Sequence, residues 1–115
     1  MSNPTNDLRF VSAFAAMTGY VHQNAVDKGF HDTDRLPAVD VALMHSELSE
    51  LLEALREGNP NSVKIPDFSA VEEELADLVI RAMDFAGAHR INLGAAIVAK
   101  HTYNTGRPTR HGKEF

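Results

Sequence analysis

The sequence contains no cysteine, so disulfide bonds and thiolate metal sites are excluded. Any metal ion would be held by oxygen or imidazole ligands, which points to hard cations. A long uninterrupted apolar run is missing, and the N-terminus has no basic region followed by an apolar stretch. We therefore expect neither a membrane span nor a secretory signal, and we expect a cytoplasmic protein with no membrane partner.

Basic residues are fewer than acidic ones, with 11 Lys and Arg against 16 Asp and Glu. The formal net charge of -5 argues against a non-specific nucleic-acid surface, although basic residues gather in the segment RPTRHGKEF at positions 107–115. A length of 115 residues predicts a single domain that spans positions 1–115. Because so short a chain leaves much of its surface exposed, we expect a homodimer or a homotetramer.

Four segments carry apolar residues at spacings of three and four, as one face of a helix requires. Ser69 followed by Glu72 predicts a capping box at the start of the third segment. The fourth is expected to turn Leu93, Ala96 and Ile97 inward, and the chain after it is expected to be extended. The pattern favours an all-α, four-helix bundle-like fold. The predicted helices run from about Leu8 to Lys28, Ala38 to Glu57, Ser69 to Ala88 and Asn92 to Gly106.

Two pairs of carboxylates border the apolar stripes of the second and third helices. Glu47 and Glu50 are three positions apart, as are Glu74 and Asp77, so each pair lies on one helix face. Packing of the two helices would bring the four carboxylates together, and bound divalent ions are the usual way to neutralise such a cluster. Oxygen-only ligands favour Mg²⁺, for which Mn²⁺ can substitute.

Acidic residues at helical spacing are common on solvated faces, and a single pair would be weak evidence. Two pairs on adjacent helices make a metal site the better interpretation. A di-iron bundle would require Glu-x-x-His on two helices, which this sequence does not have. The remaining acidic residues of these two helices are interpreted as solvated: Glu53, Glu57, Glu72 and Glu73.

The segments HSELSELLEALREG and EEELADLVIRAMDFAG together resemble the Glu-x-x-Glu, spacer, Glu-x-x-Asp signature of the MazG-like all-alpha nucleotide pyrophosphohydrolases. The ending AKHTYNTGRPTRHGKEF is similar to that of small bacterial and phage members. The resemblance implies that the four carboxylates hold magnesium and that the protein is oligomeric. Many relatives have a further acid just before the first ligand, where this chain has Ser46, so a role for that acid cannot be transferred.

The C-terminal quarter offers candidate partners for a phosphate chain. Lys100 and Asn104 are one helical turn apart, and Lys100 is expected to stabilise developing charge. Arg107 is a further candidate, while Arg110 and Lys113 fit a solvated tail equally well. Arg81 is interpreted either as a phosphate ligand or as an ion-pair partner of Asp77 or Asp84.

The resemblance implies that the connection GFHDTDRLP after the first helix contributes to the nucleobase site. His22 and Phe30 flank it, and Asn24 adds a hydrogen-bonding amide. Packing explains His22 and Phe30 equally well. The adjacent pair His31 and Asp32 is not interpreted as a phosphohydrolase motif, because the helix-borne histidines of that chemistry are missing.

The paired carboxylates predict a Mg²⁺ site, and the resemblance implies an enzyme that hydrolyses nucleoside triphosphates between the α and β phosphates. The products would be the nucleoside monophosphate and pyrophosphate. The preferred substrate would be a deoxynucleoside triphosphate, with guanine slightly favoured as the base. Either Glu47 or Glu50 would accept the proton of the attacking water, unless activation by the metal makes a dedicated base unnecessary. Two alternatives remain: a phosphoribosyl-ATP pyrophosphohydrolase, against which the tail argues, and a non-catalytic helical interaction module.

Overall fold

The structure, a computed structural model, describes residues 3–115, and the regular secondary structure of that range is helical apart from one isolated bridge between Asn61 and Ser69. The predicted all-α class is therefore confirmed. None of the described helices is both long and apolar enough to span a membrane. The helices are α1 (Pro4–Asp27), α2 (Pro37–Arg56), α3 (Ala70–Ala88) and α4 (Leu93–Thr105), followed by a short 3-10 helix (Thr109–Gly112).

Local capping sets where the helices begin. Helix α1 starts four residues earlier than predicted, because the Asn3 side chain accepts a hydrogen bond from the Asn6 amide at 3.2 Å and Pro4 occupies the first turn. The predicted capping box is present at α3, where Ser69 and Glu72 bond reciprocally. At α4, Asn92 caps the first turn.

Helix α4 and the tail differ from the prediction. Ala96 and Ile97 are exposed, whereas Gly94 is buried. A Cβ at Gly94 would lie 3.2 Å from the Cβ of Phe14, so this glycine sets the face on which α4 approaches α1. The segment after α4 is not extended throughout, because Thr109–Gly112 forms a turn in which Arg110 and His111 adopt positive φ angles of 52° and 55°.

The helices pack in the order α2, α3, α1, α4, with the main contacts between neighbours in that series. Their apolar stripes are only partly covered: Leu48 and Leu75, both in predicted stripes, are 45% and 46% exposed. The buried apolar residues among those described are Ala54, Met83 and Ala86, all on α2 and α3. The core thus lies mainly where α3 contacts its two neighbours.

The connection between α2 and α3 is held by its own polar groups. Ser62 is buried, donates its hydroxyl to the Glu73 carboxylate and accepts from the Ile65 amide at 3.0 Å. The interpretation of Glu73 as a solvated residue is therefore wrong, whereas Glu72 is exposed and forms the predicted cap. This bonding fixes the connection, and with it Lys64, relative to the start of α3.

Candidate functional site

Packing of α2 against α3 brings three of the four predicted carboxylates together. One oxygen from each of Glu47, Glu74 and Asp77 lies within 4.8 Å of the others, and we name these three the carboxylate cluster. Glu50 is exposed and lies outside the three, although its charge is close enough to raise the pKa of Glu74. Cross-helix packing thus produces the predicted convergence for three residues.

The carboxylates of the cluster are partly buried and repel one another. Burial raises the pKa of Glu74, and the neighbouring charges of Asp77 and Glu73 raise it further. Burial also raises the pKa of Asp77, with the charge of Glu47 adding to it, while the cations Lys64 and Arg81 act in the opposite direction. Three oxygen donors that repel one another suit a hard divalent cation such as Mg²⁺ or Mn²⁺.

The raised pKa values predict how the metal-free protein responds to pH. A carboxyl whose pKa is higher in the folded chain binds more protons there, so its contribution to stability falls as pH rises through the folded pKa. With a chelator present, the melting temperature of wild type should therefore fall relative to that of Asp77→Asn as pH rises from about 4 to 7. Thermal melts of both proteins across that range measure the difference.

Added Mg²⁺ should raise the wild-type melting temperature at pH 7, because a ligand that binds only the folded state stabilises it. Asp67→Asn is the matched control for Asp77→Asn in these melts, because it removes a carboxylate from an exposed loop position. If the difference in melting temperature between wild type and Asp77→Asn does not change with pH, the predicted pH dependence is contradicted.

Arg81 pairs with a carboxylate that the spacing does not indicate. Its Nε donates to Oε1 of Glu47 at 2.6 Å, across the contact between α3 and α2. The predicted alternatives were Asp77, Asp84 or a phosphate, and an ion pair with either aspartate is not what the structure shows. Arg81 is still partly exposed, so the guanidinium lies beside the cluster with donors to spare.

A cleft of about 550 Å³ opens beside the carboxylate cluster, between α1, α3 and the two long connections. Lys64 and Arg35 both line it, and sequence reasoning missed both. Arg35 is held by Asp40 at 2.6 Å, and its buried Nε has no hydrogen-bond partner within the described chain. The charged lining is Arg35, Glu47, Lys64, Asp77, Arg81 and Asp84, and the large apolar lining is Met17, Tyr20, Phe30 and Ile80.

The predicted base-site residues lie at the α1 side of this cleft. Phe30 and Asn24 line it, and Phe30 is 58% exposed. His22, in contrast, is not among the described residues that line the cleft; its Nδ1 lies 2.8 Å from Oδ1 of Asp84, which does line it. His31, which the sequence reading set aside, bonds to the same carboxylate.

The predicted phosphate ligands on α4 and just after it lie elsewhere within the single chain. Lys100, Asn104 and Arg107 are not among the residues that line the cleft in the described part of the chain. Lys100 Nζ instead lies 4.7 Å from the centre of the Tyr103 ring, and Arg107 lies 5.7 Å from it. Helix α4 packs chiefly on α1, which explains this separation.

Comparisons with protein-family models, curated proteins and solved structures found no match to this chain.

Proposed function

We propose that this chain is a Mg²⁺-dependent nucleoside triphosphate pyrophosphohydrolase of the MazG-like kind. The observation that carries the proposal is the meeting of Glu47, Glu74 and Asp77 beside a cleft that also holds Arg81 and Lys64. Metal-binding carboxylates next to cations are the combination that a polyphosphate requires, because the ion and the cations neutralise it from different sides.

The shape and lining of the cleft support a nucleotide substrate. Its volume of about 550 Å³ lies within the roughly 300–1,000 Å³ usual for small-molecule sites. The phosphates would lie among Arg81, Lys64 and the carboxylate cluster, while the exposed ring of Phe30 offers a stacking face for the base. Within this proposal the substrate is a deoxynucleoside triphosphate, with guanine slightly favoured.

In the proposed reaction, water attacks the α phosphorus and the bond to the bridging oxygen breaks, so pyrophosphate leaves with the electron pair. Mg²⁺ held by Glu47, Glu74 and Asp77 would supply charge neutralisation and a more acidic water. Glu50 accepts the water's proton, because it lies next to the cluster but outside it, whereas Glu47 is paired with Arg81. Arg81 and Lys64 hold the phosphates; the sequence indicated Arg81 for this role, together with Lys100, Asn104 and Arg107, but did not indicate Lys64.

The proposal includes assembly as a homodimer or a homotetramer. Large apolar side chains on α2 and α3 remain exposed in the single chain, including Leu48, Leu52 and Leu55 on one side of α2. Burial of such a stripe against a second copy is the simplest way to complete the core.

A panel of canonical ribo- and deoxyribonucleoside triphosphates tests the activity directly. Each nucleotide is incubated with the protein and Mg²⁺, and pyrophosphate and orthophosphate are measured separately. We expect pyrophosphate and the monophosphate in equal amounts, with chelator-sensitive rates and the highest kcat/KM for a deoxynucleotide. Release of orthophosphate instead, or no product from any nucleotide, would overturn the proposed reaction.

A further inference from the structure

A second cluster of potential metal ligands lies at the other end of the cleft. His22 comes from α1, His31 from the connection after it, and Asp84 from α3. His22 Nδ1 lies 2.8 Å and His31 Nε2 lies 2.9 Å from the same oxygen of Asp84. One ligand atom from each residue lies within 4.8 Å of the other two. We name these three residues the histidine cluster.

Two glycines allow this convergence. A Cβ at Gly87 would lie 2.7 Å from the Cβ of His22, so only glycine lets that histidine lie so close against α3. Gly29, with φ of 84°, ends α1 in a turn in which the Phe30 amide bonds back to the Ala25 carbonyl at 3.0 Å. This turn returns the chain toward α3 and places His31 on Asp84.

The donor set differs in kind from the carboxylate cluster. Two imidazoles and one carboxylate are ligands for Zn²⁺ and related transition ions, whereas Mg²⁺ prefers oxygen. The two clusters are also separate, since Asp84 is seven residues beyond Asp77, about 10 Å along the helix axis. Each cluster can therefore bind its own ion.

The spacing of the donor atoms suits one ion. Ligands about 2.0–2.2 Å from a shared tetrahedral ion lie roughly 3.3–3.6 Å from one another, so the two contacts of 2.8 and 2.9 Å would lengthen by about half an ångström to admit it. Without an ion, N–H groups of His22 and His31 donate to Asp84, which holds all three ligands in place. Binding then replaces those protons by the metal.

We propose that His22, His31 and Asp84 bind one Zn²⁺-class transition ion, through Nδ1, Nε2 and a carboxylate oxygen respectively. All three side chains are only partly buried, at 28%, 24% and 19% exposure, so the ion can enter from solvent. Because Asp84 lines the cleft, open coordination positions would face a molecule bound there. The ion would also tie α1 and the first connection to α3. This proposal does not depend on the nucleotide reaction.

Co²⁺ titration in millimolar Mg²⁺ tests the site, because excess Mg²⁺ occupies the carboxylate cluster while leaving imidazoles free. We expect visible absorption bands of protein-bound Co²⁺ that saturate at one ion per chain and disappear on addition of Zn²⁺. Calorimetry with Zn²⁺ under the same conditions should give the same stoichiometry. Absence of Co²⁺ bands in the wild-type protein would overturn the proposal.

Four variants locate the ion. His31→Gln and Asp84→Asn should each weaken Co²⁺ binding by about 100-fold or more, since loss of an outer partner alone costs about 10–100-fold. His101→Gln, at an exposed position of α4, and Asp77→Asn in the carboxylate cluster should keep the bands. His31 lies outside the helices, so circular dichroism should show unchanged helix content. Retained binding in both His31→Gln and Asp84→Asn, or its loss in Asp77→Asn, would contradict the assignment.

Discussion

Asp77→Asn is expected to lower turnover of a nucleoside triphosphate by about 1,000-fold or more, which corresponds to about 4 kcal/mol of activation free energy. Asparagine keeps the shape of the side chain but removes the charge that would hold the proposed Mg²⁺. Helix content should not change, and the metal-free variant should melt at a higher temperature than wild type at pH 7. That rise is expected because Asp77 and Glu47 repel each other when both are ionised.

Steady-state kinetics at saturating Mg²⁺, with Mg²⁺ affinity measured by calorimetry, separates the two roles predicted for acidic residues. Glu50→Gln should also lose most of its turnover. If Glu50 accepts the proton, its variant keeps normal Mg²⁺ affinity, whereas a metal ligand would lose it together with turnover. Asp67→Asn is the control for loss of one negative charge outside the cleft. Near-normal turnover by Asp77→Asn would refute the metal assignment.

Local signals in the sequence predicted most of the secondary structure. The apolar spacing located all four helices, and Ser69 with Glu72 identified the start of α3 because a capping box involves only neighbouring residues. The start of α1 was predicted too late because Asn3 and Pro4 lie before its first large apolar residue. The face of α4 was predicted incorrectly because Gly94, which has no side chain, makes the close approach.

The candidate site was predictable where its geometry follows from one helix. Glu74 and Asp77 share a face through their spacing alone, and Glu47 faces them once the stripes of α2 and α3 pack. The bond between Arg81 and Glu47 joins residues 34 positions apart, so helical periodicity could not indicate it. Spacing offers Asp77 and Asp84 as partners closer in sequence, but tertiary packing places Glu47 against Arg81 instead.

The histidine cluster was even harder to predict from the sequence, because its residues lie far apart along the chain. Asp84 lies 62 positions from His22 and 53 positions from His31, and no repeat or spacing links them. The turn that Gly29 makes at the end of α1 decides where His31 lies. Gly29, two residues before His31, did signal a reversal of the chain, since a glycine commonly ends a helix in such a turn. The direction that the chain takes after this turn, relative to α3, depends on tertiary packing, which the sequence pattern does not reveal.

The single chain exposes more surface than a folded monomer of its mass should, which predicts that the chain assembles with copies of itself. The described chain exposes 8637 Å², whereas a folded monomer of its mass is expected to expose about 6,200 Å². Its radius of gyration of 16.5 Å likewise exceeds the roughly 13 Å expected for this length. The excess area is more than the roughly 800 Å² per partner of a standard interface, and it suits an obligate one. We therefore expect sedimentation to give a homodimer or a homotetramer at micromolar concentration.

Leu52→Glu should shift that assembly toward monomer and lower the melting temperature by about 10 °C or more, because a charge would enter the interface core. Leu52 is 49% exposed in the single chain, between Leu48 and Leu55 on the same side of α2, so the substitution should not disturb the chain's own packing. Ser12→Glu adds the same charge at an exposed position of α1 and should leave both quantities unchanged. If wild type sediments only as a fully active monomer, the exposed stripe is not an interface between copies. If Leu52→Glu keeps the oligomer intact, the copies meet through a different surface.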